Sequence, residues 1–82
     1  MTYETFLKIT EEQIKDFLPE SYQDKTAVIE PRIKNNGIVQ YGFTMRGRKG
    51  AEPLLYLEPF YEEYKRGRKL EDIWRELAKQ YA

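Results

Sequence analysis

An α+β fold is predicted, in the order α-β-β-β-α-α, with the helices packed on the apolar face of a three-stranded antiparallel meander. Three observations predict it. Two runs of alternating apolar and polar residues meet at Lys34-Asn35-Asn36-Gly37-Ile38, a short unbroken apolar run follows at Leu54 to Leu57, and apolar stripes at helical spacing bracket the strands at both ends of the chain.

The first helix starts at Thr2, whose hydroxyl can accept from an N–H of the first turn. Its apolar stripe is Tyr3, Phe6, Leu7, Ile14, Phe17 and Leu18, and Pro19 stops it. Ile9 to Ile14 also has the pattern of a hydrophobic staple around a Thr-x-x-Gln capping box, which would mark a fresh start at Thr10. The stripe stays in phase through Thr10, so one helix is expected, with any irregularity confined to a kink there. Glu20 to Lys25 is then a polar connection.

The hairpin strands are expected at about Thr26 to Lys34 and Ile38 to Arg46. A two-residue turn at Asn36-Gly37 would set Ile33 opposite Gln40 and Ile29 opposite Thr44, placing core residues across from polar ones. A three-residue loop, Asn35-Asn36-Gly37, instead pairs Ile33 with Val39, Pro31 with Tyr41, Ile29 with Phe43 and Ala27 with Met45. The second register matches apolar with apolar and is the expectation, with Gly37 in the left-handed conformation that closes such a loop. Pro31 has no N–H to donate, so its strand belongs at a sheet edge.

Gly47 to Pro53 is a basic loop. Leu54 to Leu57 is the third strand, and its lack of alternation predicts burial on both faces, by a helix of the same chain or by a second molecule. Pro59 suits the first position of a short helix, Phe60 to Arg66, closed by Gly67. Leu70, Ile73, Trp74, Leu77 and Tyr81 form the cleanest amphipathic stripe of the chain. That last helix lacks a capping side chain at Lys69, and Glu71 and Asp72 in its first turn compensate in part.

Eighty-two residues make one domain, 1–82. The chain has no cysteine and no histidine, which removes disulfides, thiolate and imidazole metal sites, and every Ser-His or Cys-His nucleophilic pair. No cofactor is expected. Fourteen Lys and Arg balance fourteen Asp and Glu, so any electrostatic function must be local. With neither a leader pattern nor a membrane-length apolar run, a cytoplasmic protein is expected.

Thr2-Tyr3-Glu4 with Phe6, the turn Lys34 to Gly37, Tyr56-Leu57, Phe60-Tyr61-Glu62, Tyr64, Gly67, Leu70-Glu71 and Ile73 together carry a resemblance. They resemble the opening segment of a family of uncharacterised proteins from gut-dwelling Gram-positive bacteria, a domain of unknown function. The resemblance covers most of the chain and rests on turn and packing residues, so it implies the fold and no active site. Arg46 to Gly50 and Lys69 depart from its pattern.

Two features are candidates for function. Half of the basic residues fall in two places, Arg46, Arg48 and Lys49 in the loop and Lys65, Arg66, Arg68 and Lys69 at the junction of the last two helices. If loop and junction meet they form one cationic patch for a phosphate backbone or an acidic protein, whereas Glu52, Glu62, Glu63 and Glu71 nearby would neutralise two separate solvated loops. Aromatic residues do not interleave with these charges, which argues against a single-strand nucleic-acid platform. The second feature is tyrosine. Tyr3, Tyr41 and Tyr81 fall on predicted buried faces, leaving Tyr22, Tyr56, Tyr61 and Tyr64 for an exposed patch, of which Tyr61 and Tyr64 adjoin the cationic junction.

The function expected is a non-enzymatic domain that binds another protein. The alternative is a small inhibitor or regulator of a nucleic-acid-handling complex, of the phage or plasmid counter-defence type, acting through its cationic loops. A structural or dimerisation role is third. Catalysis would need carboxylates such as Glu58, Glu62 and Glu63, which have no matched base or oxyanion partners in the pattern. A monomer is favoured over a homodimer.

Overall fold

The computed structural model describes residues 1–33, 39–47 and 53–81. The elements run α1 (Tyr3–Gln13), β1 (Thr26–Ile33), β2 (Val39–Arg46), β3 (Leu55–Tyr56), α2 (Glu58–Lys65) and α3 (Leu70–Lys79), with 3-10 turns at Ile14–Phe17 and Glu20–Tyr22. The strands form one antiparallel sheet in the order β1-β2-β3, so the α+β meander is as expected.

The register is the apolar-matched one. Ile29 faces Phe43, Pro31 faces Tyr41, Ala27 faces Met45 and Ile33 faces Val39. β1 is an edge strand, where Pro31 removes no bond from the sheet interior. The expected Gly37 conformation lies outside the described residues.

Helix termini follow local chemistry. Thr2 Oγ1 accepts the Thr5 N–H at 3.1 Å, as an N-cap should. The α-helical part ends at Gln13, short of the stop expected at Pro19, and Ile14–Phe17 is a 3-10 turn. The helix nevertheless continues through Thr10, so the capping-box pattern at Thr10 to Gln13 starts nothing. The reason is burial: Thr10 is fully enclosed, and its hydroxyl accepts the Trp74 Nε1–H at 3.0 Å instead of capping a new helix.

α2 begins two residues earlier than expected, with Leu57 as N-cap and Pro59 inside the first turn. It ends one residue earlier, with Arg66 as C-cap. Gly67 follows at φ +106°, with its N–H on Tyr64 O at 2.9 Å and the Arg68 N–H on Glu63 O at 3.0 Å, the paired bonds of a Schellman motif. Nothing lies within 4 Å of a Cβ placed on Gly67, so a side chain there would meet only backbone strain. Gly67→Ala is therefore expected to lower stability by about 1 kcal/mol in urea unfolding, without a change in the slope that reports exposed area.

The core lies between the helices and one sheet face. Phe43, Met45 and Leu57 from the sheet side meet Phe6, Leu7, Ile14 and Leu18 from the N-terminal helical segment and Ile73, Trp74, Leu77, Ala78 and Tyr81 from the C-terminal one. The apolar stripe of α3 is thus buried as its spacing predicts.

Among the described residues no helix packs on the opposite sheet face, so the expected cover of Leu54 to Leu57 by a helix of the same chain does not form there. Pairing extends only over Leu55–Tyr56. Leu57 is fully buried, but Leu54 is 40% exposed and bends over Gly42, so closely that a Cβ on Gly42 would lie 2.8 Å from Leu54 Cδ1. A short strand between a loop and a helix can be continuously apolar because its residues serve different surroundings, not because both faces are covered. Val39, paired with Ile33 in the apolar-matched register, is 47% exposed at the sheet end. Among the described residues no helix is long and apolar enough to cross a membrane.

Candidate functional site

Three of the five predicted cationic residues that are described are committed to partners within the chain. Arg46 Nη2 lies 3.1 Å from Glu30 Oε1 on the open sheet face, where the other oxygen of Glu30 lies 3.5 Å from Arg32. Lys65 pairs with Glu62 at 2.9 Å, one turn away on α2, and this contact pushes the ammonium above its ordinary pKa. Arg68 is a connector. It bonds Glu76 at 2.7 Å on α3 and Glu63 on α2, and both carboxylates hold the guanidinium further into its charged form. Arg66 and Lys69 are exposed and form no ion pair with another described residue. Arg48 and Lys49 lie outside the described residues.

The loop and the junction do not meet at their described ends. Pro53 O accepts the Tyr81 hydroxyl at 2.7 Å, beyond the C-terminal end of α3, and Gly47 packs beside the Lys25 side chain. Lys25 in turn lies 4.3 Å over the Tyr22 ring, which contacts Tyr81. Lys69 stands at the other end of α3, in the N-cap position without a side-chain cap bond, and ten residues of helix span about 15 Å. The described flanks of the loop, Gly47 and Pro53, thus lie toward the C-terminal end of α3 and Lys69 at its N-terminal end, while whether the loop itself meets the junction turns on residues outside those described.

Tyr61 and Tyr64 are half-buried, not projecting. Their rings join α2 to α1: Tyr61 lies 4.9 Å from Tyr3 and 5.4 Å from Phe6, and Tyr64 lies 6.2 Å from Phe6. The Tyr61 hydroxyl also donates to Met1 O at 2.9 Å. Of the other two expected for an exposed patch, Tyr22 is half-buried against Tyr81, and Tyr56 is half-buried on the open sheet face opposite Gly42. The amphipathic ring suited to an interface equally suits a core seam whose polar end reaches backbone.

Tyr3 is the exception in that seam. Its hydroxyl is buried without a hydrogen-bond partner among the described residues. Burial pushes its pKa up to about 12, with Glu58 adding to the rise and the Tyr41 backbone offsetting part of it. A buried hydroxyl that satisfies no partner is unfavourable, so Tyr3→Phe is expected to leave stability unchanged or raise it. The folded pKa lies above the unfolded 10.0, so the protonated form stabilises the fold below pH 10 and that contribution fades as pH rises toward 12. The Phe variant should lose stability less steeply over that interval, which thermal melts at stepped pH would read.

A groove that the distribution of cations does not reveal lies between α1 and the sheet. Its volume is about 320 Å³, and it is lined by Glu4, Leu7, Lys8, Glu11 and Glu12 from α1 and by Ile29 and Tyr41 from β1 and β2. Leu7, Ile29 and Tyr41 supply the apolar lining, and the four charged residues are all exposed. None of those four forms an ion pair with another described residue. The signal is present in the sequence as Glu4, Glu11 and Glu12, separations of seven and eight that return to one helix face. It becomes a groove only once the hairpin is laid beside that face.

Residues 3–82, almost the whole chain, match DUF5688, a family of unknown function. No curated protein matches the chain, and no solved structure does.

Proposed function

We propose that this chain, which belongs to DUF5688, is a non-enzymatic cytoplasmic domain that works by binding another protein. The observation that carries this reading is the open groove beside α1. It joins apolar lining to exposed charge, the combination that gives a protein contact its affinity and its orientation. Neither histidine nor cysteine is available, and two of the carboxylates that catalysis would need are otherwise engaged: Glu62 and Glu63 hold Lys65 and Arg68. The inhibitor reading draws less support, because Arg46, Lys65 and Arg68 are ion-paired within the chain.

A monomer fits the sheet edges. Pro31 interrupts the donors along β1, and β3 is only two residues long, both of which discourage edge-to-edge pairing. Light scattering at micromolar concentration is expected to give the mass of one chain, and twice that mass would reverse the assignment.

The test of the interaction reading is affinity capture from the native cell at low and high salt, followed by reconstitution from purified components. A stoichiometric complex that re-forms from the two purified proteins is expected. Failure of every captured protein to bind the purified domain at micromolar concentration would overturn the reading.

A further inference from the structure

We propose that the groove between α1 and the β1–β2 sheet receives a basic segment of the partner protein, with an apolar side chain against Leu7, Ile29 and Tyr41 and flanking Lys or Arg side chains on Glu4, Glu11 and Glu12. This deepens the interaction reading, on which it rests, by assigning its surface and the chemistry of the partner.

Charge complementarity selects this occupant. The groove carries three carboxylates and one ammonium, so it repels phosphate and acidic peptides and attracts cations. On α2 and α3 every carboxylate except Glu58 has been matched: Glu62 with Lys65, Glu63 and Glu76 with Arg68, and Glu71 and Asp72 with Arg75. On α1, Lys8 is one turn from Glu4, Glu11 and Glu12 in sequence, yet none of these pairs is formed. Glu11 and Glu12 also occupy the last turn of α1, toward the negative end of the helix dipole, and the nearest basic residue beyond them, Lys15 in the following 3-10 turn, donates to Gln23 O instead. Folding gains nothing from carboxylates in that position. A charge placement that opposes local stability and has no ion-pair partner among the described residues is what a binding surface retains.

The size and the neighbouring edge set the mode of binding. About 320 Å³ accommodates a large side chain, but the groove is too open to enclose a small molecule. Strand addition along β1 is hindered by Pro31, which offers no N–H at mid-edge, so side chains and not backbone pairing carry the contact.

A random-peptide phage library selected on the immobilised domain tests this directly. Enriched peptides, synthesised with a fluorescent label, are titrated against the wild-type domain, Glu11→Lys with Glu12→Lys, Lys8→Glu, and Arg66→Glu with Lys69→Glu. Expected are peptides with Lys or Arg beside a large apolar residue, and affinity that falls with salt. The double acid reversal should weaken binding by at least about tenfold, Lys8→Glu should tighten it, and the junction variant should bind as the wild type does. Because Glu11 and Glu12 sit at the unfavourable end of the helix, their reversal should keep or raise the melting temperature, separating lost binding from lost fold. Enrichment of acidic or uncharged peptides, or undiminished binding by the double reversal, would overturn the assignment. A native partner that binds wild type and double reversal equally would sink the groove and leave the interaction reading standing. Absence of any binder, native or selected, would end both.

Discussion

Trp74→Ala is expected to lower the unfolding free energy by about 3–5 kcal/mol, the range for emptying a buried aromatic site. A domain of this length has a total stability of only about 4–12 kcal/mol, so the variant should be largely unfolded well below the wild-type melting temperature. Two effects combine. The indole is 7% exposed and packs beside Phe17, with ring centroids 5.8 Å apart, at the point where α3 meets the Ile14–Phe17 turn. Its removal also leaves the fully buried Thr10 hydroxyl without its donor. The two effects are separable. Trp74→Phe keeps most of the volume and loses the N–H, which should cost about 1–3 kcal/mol for the orphaned hydroxyl, and adding Thr10→Val should recover part of that loss. If Trp74→Ala shifts the melting temperature by no more than a few degrees, α3 is not docked through this ring.

Phe6→Ala should be nearly as severe, at about 3–5 kcal/mol by the same cavity reasoning. Phe6 has no exposed surface and is touched by the rings of Tyr3, Tyr61 and Tyr64. Its ring is the place where α1 and α2 share one seam, so its loss should also loosen Tyr61 and Tyr64. Urea unfolding would show an earlier midpoint, and tyrosine fluorescence or near-ultraviolet dichroism would show the seam disordering. A wild-type midpoint would mean that the two tyrosines stand apart from the core and are free to serve an interface.

The hairpin is legible in the sequence because its test is a matching problem. One register pairs Ile29 with Phe43 and the other pairs Ile29 with Thr44, and a one-residue change of loop length moves every side chain together. Pro31 announces its edge position through a missing donor, and the Leu70 to Tyr81 stripe announces α3 through its period. β3 misleads because four consecutive apolar residues look alike in sequence, whereas Leu54 bends over Gly42, Leu55 faces Phe43 and Leu57 enters the core. The cationic junction is visible, but its neutralisation is only half visible. Glu62 and Glu63 are near in sequence, while Glu76 reaches Arg68 only because Gly67 turns the chain and brings α3 back beside α2. The acidic face of α1 is equally plain in sequence and acquires meaning only from the strands placed beside it.

The most direct measurement is a ¹⁵N–¹H chemical-shift map of the domain titrated with its purified partner. The expected footprint is a contiguous set of amides along α1 from Glu4 to Glu12, with Ile29 on β1 and Tyr41 on β2. Shifts centred on Arg66 to Lys69, with α1 unmoved, would contradict the assignment of binding to the groove.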